Sequence, residues 1–312
     1  MRTRSSCFKT SPNSAYLLKA ALFLSLLLCS VRTFAQSPIA KLQADYDHLQ
    51  QTTTYGRNPK AGKFYLVRGF KMYCEIYGAG EPLLLIHGNG SSISAFAKQI
   101  PYFAKNYRVI VADSRGHGRS TNKIDSLSYE MMADDYAALL SVLHIDSARV
   151  LGWSDGGING LLLAIRHPEK VKKLAVTGAN LRPDSTAVEP DVLRRVTRSY
   201  TKFRALFKEP RPKTPVDSMV YKYFRLLVEQ PHISLAELRK ISIPTLVIGG
   251  DHDVIRPGHT LEIFANIPKA YLWLVPNSGH STLVVYDDDF NKTVSTFFKS
   301  HYRKIEDRAR EF

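Results

Sequence analysis

The sequence predicts an α/β fold: a mostly parallel central sheet with helices on both faces and a helical cap insertion. Three observations predict it. Short apolar runs alternate with helical patterns along most of the chain. The runs from residue 83 onward are apolar at odd and even positions alike, as expected of strands that are buried on both faces. A purely helical stretch interrupts this alternation at residues 181–240. Strand and helix alternation of this kind builds parallel sheets.

The first 35 residues have the composition of a secretory signal peptide. Basic side chains precede an apolar run from Ala20 to Val31, which is too short to span a bilayer comfortably. Small residues at Thr33 and Ala35 suit signal peptidase, so we expect cleavage after Ala35 and export to the periplasm or the extracellular space. An uncleaved N-terminal anchor is the alternative. A lipoprotein signal is disfavoured because Leu28 precedes Cys29 where a small residue is needed.

Charge and cysteine content limit the classes of function. The 312 residues carry a formal net charge of +15, and removal of the predicted leader, which has five basic and no acidic side chains, lowers it to +10. This charge favours acidic surfaces or substrates. No helix-turn-helix, zinc finger or aromatic single-strand platform accompanies it, so nucleic-acid binding is not predicted. Only Cys74 remains after residue 35, which excludes an internal disulfide. No Cys/His cluster indicates a metal.

Eight apolar runs predict the strands, and the first two are expected to form an antiparallel hairpin at the sheet edge. An amphipathic helix and a polar linker, residues 36–60, precede them. Residues 61–180 and 241–300 are predicted to form the two parts of the α/β core. The runs are 63–67, 72–77, 83–86, 109–112, 150–152, 174–177, 245–248 and 271–275.

Residues 181–240 are predicted to form the helical cap. Two long helical patterns and a capping box, S-L-A-E at residues 234–237, follow one another here without a strand signal. The cap holds thirteen basic and seven acidic side chains. Its net charge of +6 is more than half of the +10 carried by the chain without the predicted leader. Residues 301–312 are predicted to be a charged tail without visible chemistry.

The stretch V-L-G-W-S-D-G-G, residues 150–157, joins the end of an apolar run to the start of a helix. The pattern G-x-S-x-G at such a junction is typical of a sharp turn that exposes a nucleophilic serine, here Ser154. Gly152 and Gly156 are needed because a β-carbon would strike the neighbouring strand or helix. The N–H groups of the helix that begins at Asp155 are expected to point at the same site.

A nucleophilic serine needs a general base, which a third group orients. His280 lies in N-S-G-H-S-T after the last predicted strand, and Asp251 and Asp253 lie in G-G-D-H-D after the strand before it. Because the carboxyl ends of parallel strands meet at one edge of a sheet, these loops are expected to approach Ser154. Strand alternation leaves both aspartates open as the acid.

An oxyanion hole requires two backbone donors. We expect one to be the N–H of Asp155, directly after the nucleophile. The other is assigned to the N–H of Asn89, in the H-G-N-G loop after the third predicted strand. Replacing the Asn89 side chain is expected to have a mild effect, because the backbone donor remains.

These segments together resemble the α/β-hydrolase superfamily over about residues 64–300. The likeness rests on L-L-L-I-H-G-N-G, D-S-R-G-H-G-R-S, V-L-G-W-S-D-G-G, G-G-D-H-D-V-I-R-P and P-N-S-G-H. It implies that Ser154, Asp253 and His280 form a catalytic triad, with Asp253 rather than Asp251 as the acid, under a cap at residues 181–240. Within the superfamily, the stretch from residue 150 and the later T-G-A-N are similar to the valacyclovir hydrolase (biphenyl-hydrolase-like) group.

The resemblance implies hydrolysis of a small-molecule carboxylic ester through an acyl-enzyme, without a cofactor. A carbon–carbon or amide bond hydrolase with the same triad and a slow ligand-binding member of the fold are the alternatives. The carboxylate of Asp155 predicts a preference for esters that bear an amino group, unless this acid only suits the helix dipole. The basic cap predicts attraction of anionic esters. We expect no stable membrane span after leader removal, and the sequence does not indicate an oligomeric state.

Overall fold

The computed structural model describes residues 38–120, 126–208 and 214–303. The predicted leader and most of the predicted charged tail lie outside these residues. The strands are β1 (Gly62–Val67), β2 (Phe70–Tyr77), β3 (Glu81–Ile86), β4 (Tyr107–Ala112), β5 (Ala148–Trp153), β6 (Val171–Thr177), β7 (Thr245–Gly250) and β8 (Ala270–Val275). The α-helices are α1 (Pro38–Thr52), α2 (Gln99–Phe103), α3 (Tyr129–Val142), α4 (Asp155–Arg166), α5 (Pro190–Lys208), α6 (Pro215–Glu229), α7 (Leu235–Leu238), α8 (Pro257–Ala265), α9 (Thr282–Val285) and α10 (Asp287–Lys299).

All eight strands belong to one sheet, in the order β1-β2-β4-β3-β5-β6-β7-β8. The hairpin of β1 and β2 is antiparallel, and β2 also pairs antiparallel with β4. Every pair from β4 to β8 is parallel. The predicted mostly parallel sheet is confirmed. The carboxyl ends of β5, β6, β7 and β8 therefore meet at one edge, where the candidate site lies.

The two faces of the sheet bury separate layers of apolar side chains. Successive strand residues point to opposite faces, so Leu84 and Ile86 pack in the layer that includes α3 and α4. Leu83 and Leu85 pack in the layer that includes α2 and α10. All four side chains are fully buried. Burial on both faces explains why the apolar runs of the core strands include odd and even positions alike.

Helices α5, α6 and α7 form an insertion between β6 and β7. Thr214 caps α6, and Ser234 caps α7 through the predicted capping box, in which the N–H of Ser234 donates to Glu237 Oε2 at 2.8 Å. Aromatic rings join α5 to α6, with the centroids of Phe203 and Phe224 5.4 Å apart. Among the described residues, no helix combines the length and the hydropathy that a membrane crossing requires.

Candidate active site

Ser154 occupies the tight turn between β5 and α4. Its backbone has φ 58° and ψ −123°, which residues with a β-carbon rarely adopt. The Ser154 N–H donates to the carbonyl of Thr177 at 2.8 Å, and the Ser154 carbonyl accepts from the N–H of Gly157 at 2.8 Å. These bonds to β6 and α4 hold a conformation whose cost is on the order of 1–3 kcal/mol.

Two glycines allow this turn to form. A β-carbon at Gly152 would overlap the carbonyl oxygen of Gly156, and a β-carbon at Gly156 would overlap the carbonyl oxygen of Ile86. Both obstacles are backbone atoms of α4 and β3, which cannot swing aside as a flexible side chain could. The start of α4 is therefore packed directly against β5, which leads into the turn, and against the neighbouring strand β3.

The structure brings Ser154, Asp253 and His280 together. Ser154 Oγ lies 2.9 Å from His280 Nε2, and His280 Nδ1 lies 2.6 Å from Asp253 Oδ1. The Asp253 carboxylate is buried, and its Oδ1 also accepts a 3.0 Å bond from the N–H of Ile255. This chain of hydrogen bonds can pass the serine proton to the imidazole while the carboxylate fixes the ring.

Asp251 has a different task. Its two carboxylate oxygens accept the N–H groups of Asn277 and Ser278, each at 3.0 Å, and Oδ1 lies 2.8 Å from His252 Nδ1. The bonds from His252, Asn277 and Ser278 lower the pKa of Asp251 to about 2. Asp251 thus ties the loop that follows β8, which carries His280, to the loop that follows β7.

Two residues that the sequence analysis did not single out also contact His280. The indole N–H of Trp153 donates to the His280 carbonyl at 2.9 Å. Gly178 has φ +64°, and a β-carbon there would lie 2.7 Å from His280 Cε1. Trp153 is the first variable position of G-x-S-x-G and Gly178 begins G-A-N, so both stand in quoted motifs, but only the structure reveals these contacts.

The charge around His280 favours the protonated imidazole. Burial disfavours the charge, but the adjacent Asp253 carboxylate outweighs it, and Asp155 adds a smaller attraction, so the pKa of His280 is raised above its ordinary value. A raised pKa makes this imidazole a stronger base toward the Ser154 hydroxyl.

The H-G-N-G loop after β3 passes close to Ser154. A β-carbon at Gly88 would lie 3.0 Å from Ser154 Cβ and 3.6 Å from its Oγ. Asn89 and Asp155, the two predicted oxyanion residues, line the same cleft as Ser154. Both therefore border the space where a substrate carbonyl would sit, and the use of their N–H groups stays a prediction.

The Asn89 side chain has contacts that the sequence did not indicate. Its Nδ2 donates to Asp155 Oδ2 at 2.8 Å and to the carbonyl of Tyr223, on cap helix α6, at 3.3 Å. Replacing Asn89 would thus also detach this loop from the cap and from Asp155. The predicted mild effect of replacing the Asn89 side chain takes account of the backbone N–H but not of these two contacts.

Asp155 places a buried carboxylate in the cleft. Its side chain is largely buried, and burial raises the pKa of Asp155 to about 6, against the opposing effects of Tyr129, Asn89 and His280. Tyr129 faces this carboxylate, and its buried hydroxyl makes no hydrogen bond of ordinary geometry with any described residue. Asn89 Oδ1 is likewise buried without such a partner among the residues described. Both oxygens are closed to solvent in this structure, and Asp155 supplies the carboxylate at this end of the cleft.

The rest of the cleft is mainly apolar. Its empty volume is about 920 Å³, including space open to solvent. No lysine or arginine of the described ranges lines it, and Asp155 is the one carboxylate among the described lining residues. Over the same part of the chain, no group of three or more His, Cys, Asp or Glu side chains is arranged to hold a metal ion. The apolar lining residues are Val188, Val192, Leu193, Val196, Leu227, Val254 and Ile255.

Comparison with known proteins identifies hydrolases as relatives. The family model described as alpha/beta hydrolase fold matches residues 81–227. The 2-hydroxymuconate semialdehyde hydrolase of Pseudomonas sp. (strain CF600) is 28% identical over 267 residues, which cover 77% of this chain and 94% of the relative. Serine hydrolase BPHL of Mus musculus is 26% identical over 272 residues, 80% of this chain and 90% of the relative.

Solved structures share the fold. The enol-lactonase from Burkholderia xenovorans LB400 matches with a TM-score of 0.62 at 23% identity, and the match covers 76% of this chain and 100% of that chain. A likeness at this identity is evidence of the fold alone. Since relatives named for different substrates match this chain at similar identity, the comparisons indicate a hydrolase but do not select the bond that is cleaved.

Proposed function

This chain belongs to the α/β-hydrolase superfamily, and from that premise we propose that it is a serine hydrolase that cleaves small-molecule carboxylic esters. The observation that carries the proposal is the continuous hydrogen-bonded chain from Ser154 Oγ through His280 to Asp253. The strained turn at Ser154 and the adjacent H-G-N-G loop support it, because both are features of a site built for acyl transfer.

The proposed mechanism uses only groups of the protein and water. His280 accepts the proton of Ser154 as Oγ attacks the ester carbonyl carbon, and Asp253 stabilises the resulting imidazolium. The N–H groups of Asn89 and Asp155 bind the oxyanion. His280 then protonates the leaving alkoxide, which leaves an acyl-enzyme on Ser154. A water molecule, deprotonated by His280, attacks this ester, and its collapse releases the acid and restores the Ser154 hydroxyl.

Reaction with a fluorophosphonate probe tests the nucleophile. We expect labelling of the wild type and none of Ser154→Ala. Ser281 lines the same cleft, so Ser281→Ala is a matched control that should still be labelled. A folded wild type that resists the probe would support a ligand-binding protein instead, and labelling of Ser154→Ala would exclude Ser154 as the nucleophile.

The bond that is cleaved requires a substrate panel. Most of the cleft lining is apolar and favours apolar groups on the acyl chain, so p-nitrophenyl esters graded in chain length should be hydrolysed with a clear optimum. The alternatives, a carbon–carbon or an amide bond hydrolase with the same triad, would turn over a vinylogous diketone or an anilide faster than any ester. Either result would overturn ester cleavage while leaving the triad intact.

We further propose that Asp155 favours esters whose acyl part bears an amino group. Its carboxylate is the one acidic group among the described residues that line the cleft, and an ammonium could donate to it there. The competing interpretation, in which the acid only suits the helix dipole, predicts no substrate selectivity.

Matched pairs of aminoacyl and plain acyl esters distinguish the two interpretations. Asp155→Asn should lower kcat/KM for the aminoacyl ester well beyond its effect on the plain one. Because the pKa of Asp155 is about 6, the wild-type preference should also decline as the pH falls below that value. Equal losses on both esters would reject a recognition role.

Attraction of anionic esters by the basic cap is also a proposal. No lysine or arginine lines the cleft among the described residues, so the cap charge would act on the approaching ester rather than in the bound complex. The kcat/KM of an anionic ester should then fall with salt more steeply than that of a neutral one. Equal salt dependence would remove this proposal.

Export with cleavage after Ala35 is proposed from the composition of residues 1–35. Mass spectrometry of the N-terminus of protein recovered from the periplasm or the medium should find Gln36 as the first residue. A chain retained in the cytoplasm and beginning at its initiator methionine would contradict it.

A further inference from the structure

Cap helix α5 has two chemically different faces. Val192, Val196 and Tyr200 are buried on its inner side, where Val192 and Val196 line the cleft. At 3.6 residues per turn the five exposed cations fall within an arc of roughly 160° on the opposite side. These residues, which we call the α5 cationic face, are Arg194, Arg198, Lys202, Arg204 and Lys208.

The cationic face is largely unneutralised by the rest of the described chain. Arg194, Arg198 and Lys202 take part in no salt bridge between described residues. The one acid exposed on the same side, Asp191 in the first turn, lies 3.4 Å from Arg195. Three consecutive turns of α5 therefore present uncompensated positive charge to solvent.

These cations lie outside the cleft. None of the five appears among the residues that line it, because the helix turns its apolar side inward and its charged side outward. A bound anionic group of a small substrate would thus lie on the wrong side of α5 to reach them. The charge is complementary to an extended anionic surface outside the protein.

We propose that the α5 cationic face docks the protein on an anionic phospholipid surface. Each Lys or Arg near such a surface adds to the attraction, and the five side chains lie along one helix of 19 residues, about 28 Å long. The other exposed residues of this face, Thr197, Thr201 and Ala205, are small, so headgroups can approach the charges. No aromatic residue is exposed there to stack on single-stranded bases, which favours lipid over nucleic acid.

Docking in this orientation would hold one wall of the cleft close to the lipid headgroups, since α5 contributes both surfaces. The inference does not rest on the proposed hydrolysis, because membrane binding is measured without turnover. Failure of ester cleavage would therefore leave it standing, and failure of docking would leave the triad untouched.

Vesicle co-sedimentation tests the proposal. The readout is the increase in bound protein between phosphatidylcholine vesicles and vesicles in which about one-third of the lipid is phosphatidylglycerol. Arg194→Gln/Arg198→Gln/Lys202→Gln should weaken this anionic component on the order of 100-fold. Lys240→Gln/Lys292→Gln/Lys299→Gln removes the same charge from exposed positions elsewhere and should change it only a few-fold.

Three results would overturn the proposal. The first is a wild type that binds both vesicle types equally, and the second is an equal loss in the two triple variants, which would show only an effect of net charge. The third is duplex DNA that binds through the cationic face while vesicles do not. Thermal unfolding should be alike in the two triple variants. If the α5 variant unfolds early, Arg198→Glu alone repeats the test, with Lys292→Glu as its control.

Discussion

Substitution of the two aspartates after β7 gives the sharpest test of the candidate triad. Asp253 contacts the His280 side chain. Asp251 contacts the backbone of the loop that carries His280, and the His252 side chain. Asp253→Asn and Asp251→Asn are nearly isosteric, so each removes a charge without leaving a cavity. The two variants therefore separate the role of the acid from the role of the loop clamp.

The expected magnitudes differ. In Asp253→Asn the amide oxygen is expected at the Oδ1 position, because that atom accepts from both the N–H of Ile255 and His280 Nδ1. The His280 tautomer is then kept, but the negative charge that stabilises the imidazolium is lost. Loss of a hydrogen bond to a charged group costs about 1.5–3 kcal/mol, which is about 10- to 150-fold in kcat at 1.36 kcal/mol per tenfold. Asp251→Asn keeps one acceptor oxygen and should lower kcat/KM by less than about tenfold.

The assay is hydrolysis of the best p-nitrophenyl ester by both variants and the wild type, with thermal unfolding measured in parallel. Asp253→Asn should unfold near the wild-type temperature while its turnover falls. If Asp251→Asn lost as much activity as Asp253→Asn, or if Asp253→Asn kept the kcat of the wild type, the assignment of Asp253 as the acid would be refuted.

Three further substitutions probe the surroundings of His280. The pKa of His280 is raised, so kcat/KM should fall as the pH drops through a value above about 6.5. Asp155→Asn removes a negative charge that contributes to the raised pKa, so in this variant the fall in kcat/KM should occur at lower pH. A pH profile that did not move would contradict the electrostatic coupling. Trp153→Phe deletes the hydrogen bond from the indole N–H to the His280 carbonyl, a loss of about 0.5–1.5 kcal/mol. It should lower kcat several-fold at constant KM. A change in KM alone would show that Trp153 acts as part of the cleft wall instead. Gly178→Ala puts a methyl group 2.7 Å from His280 Cε1 and should slow fluorophosphonate labelling more than 100-fold. A labelling rate equal to that of the wild type would show that the His280 ring can move aside.

The fold was predictable because strands that are buried on both faces appear in the sequence as continuous apolar runs. The strand ends could then be ordered along the chain, which brought Ser154 and His280 to one edge of the sheet. The order of β3 and β4 in the sheet was not predictable, because both strands are equally apolar and pairing depends on which crossover packs well.

The supporting contacts of the site were not predictable for another reason. Asp251 and Trp153 bind backbone atoms of the His280 loop, and any sequence supplies backbone N–H and carbonyl groups. The sequence alone therefore did not show whether Asp251 contacts the His280 side chain as the acid or binds the backbone of the His280 loop. Likewise, the bond from Asn89 to the carbonyl of Tyr223 joins segments whose approach depends on how the cap packs.

Ser154 and His280 are 126 positions apart in the chain, and the strands that precede them lie at different places in the sheet. No N-terminal fragment that emerges first from a ribosome holds both residues, so their hydrogen bond can form only after the last strand has joined the sheet. An incomplete chain therefore lacks the pair on which the proposed hydrolysis depends.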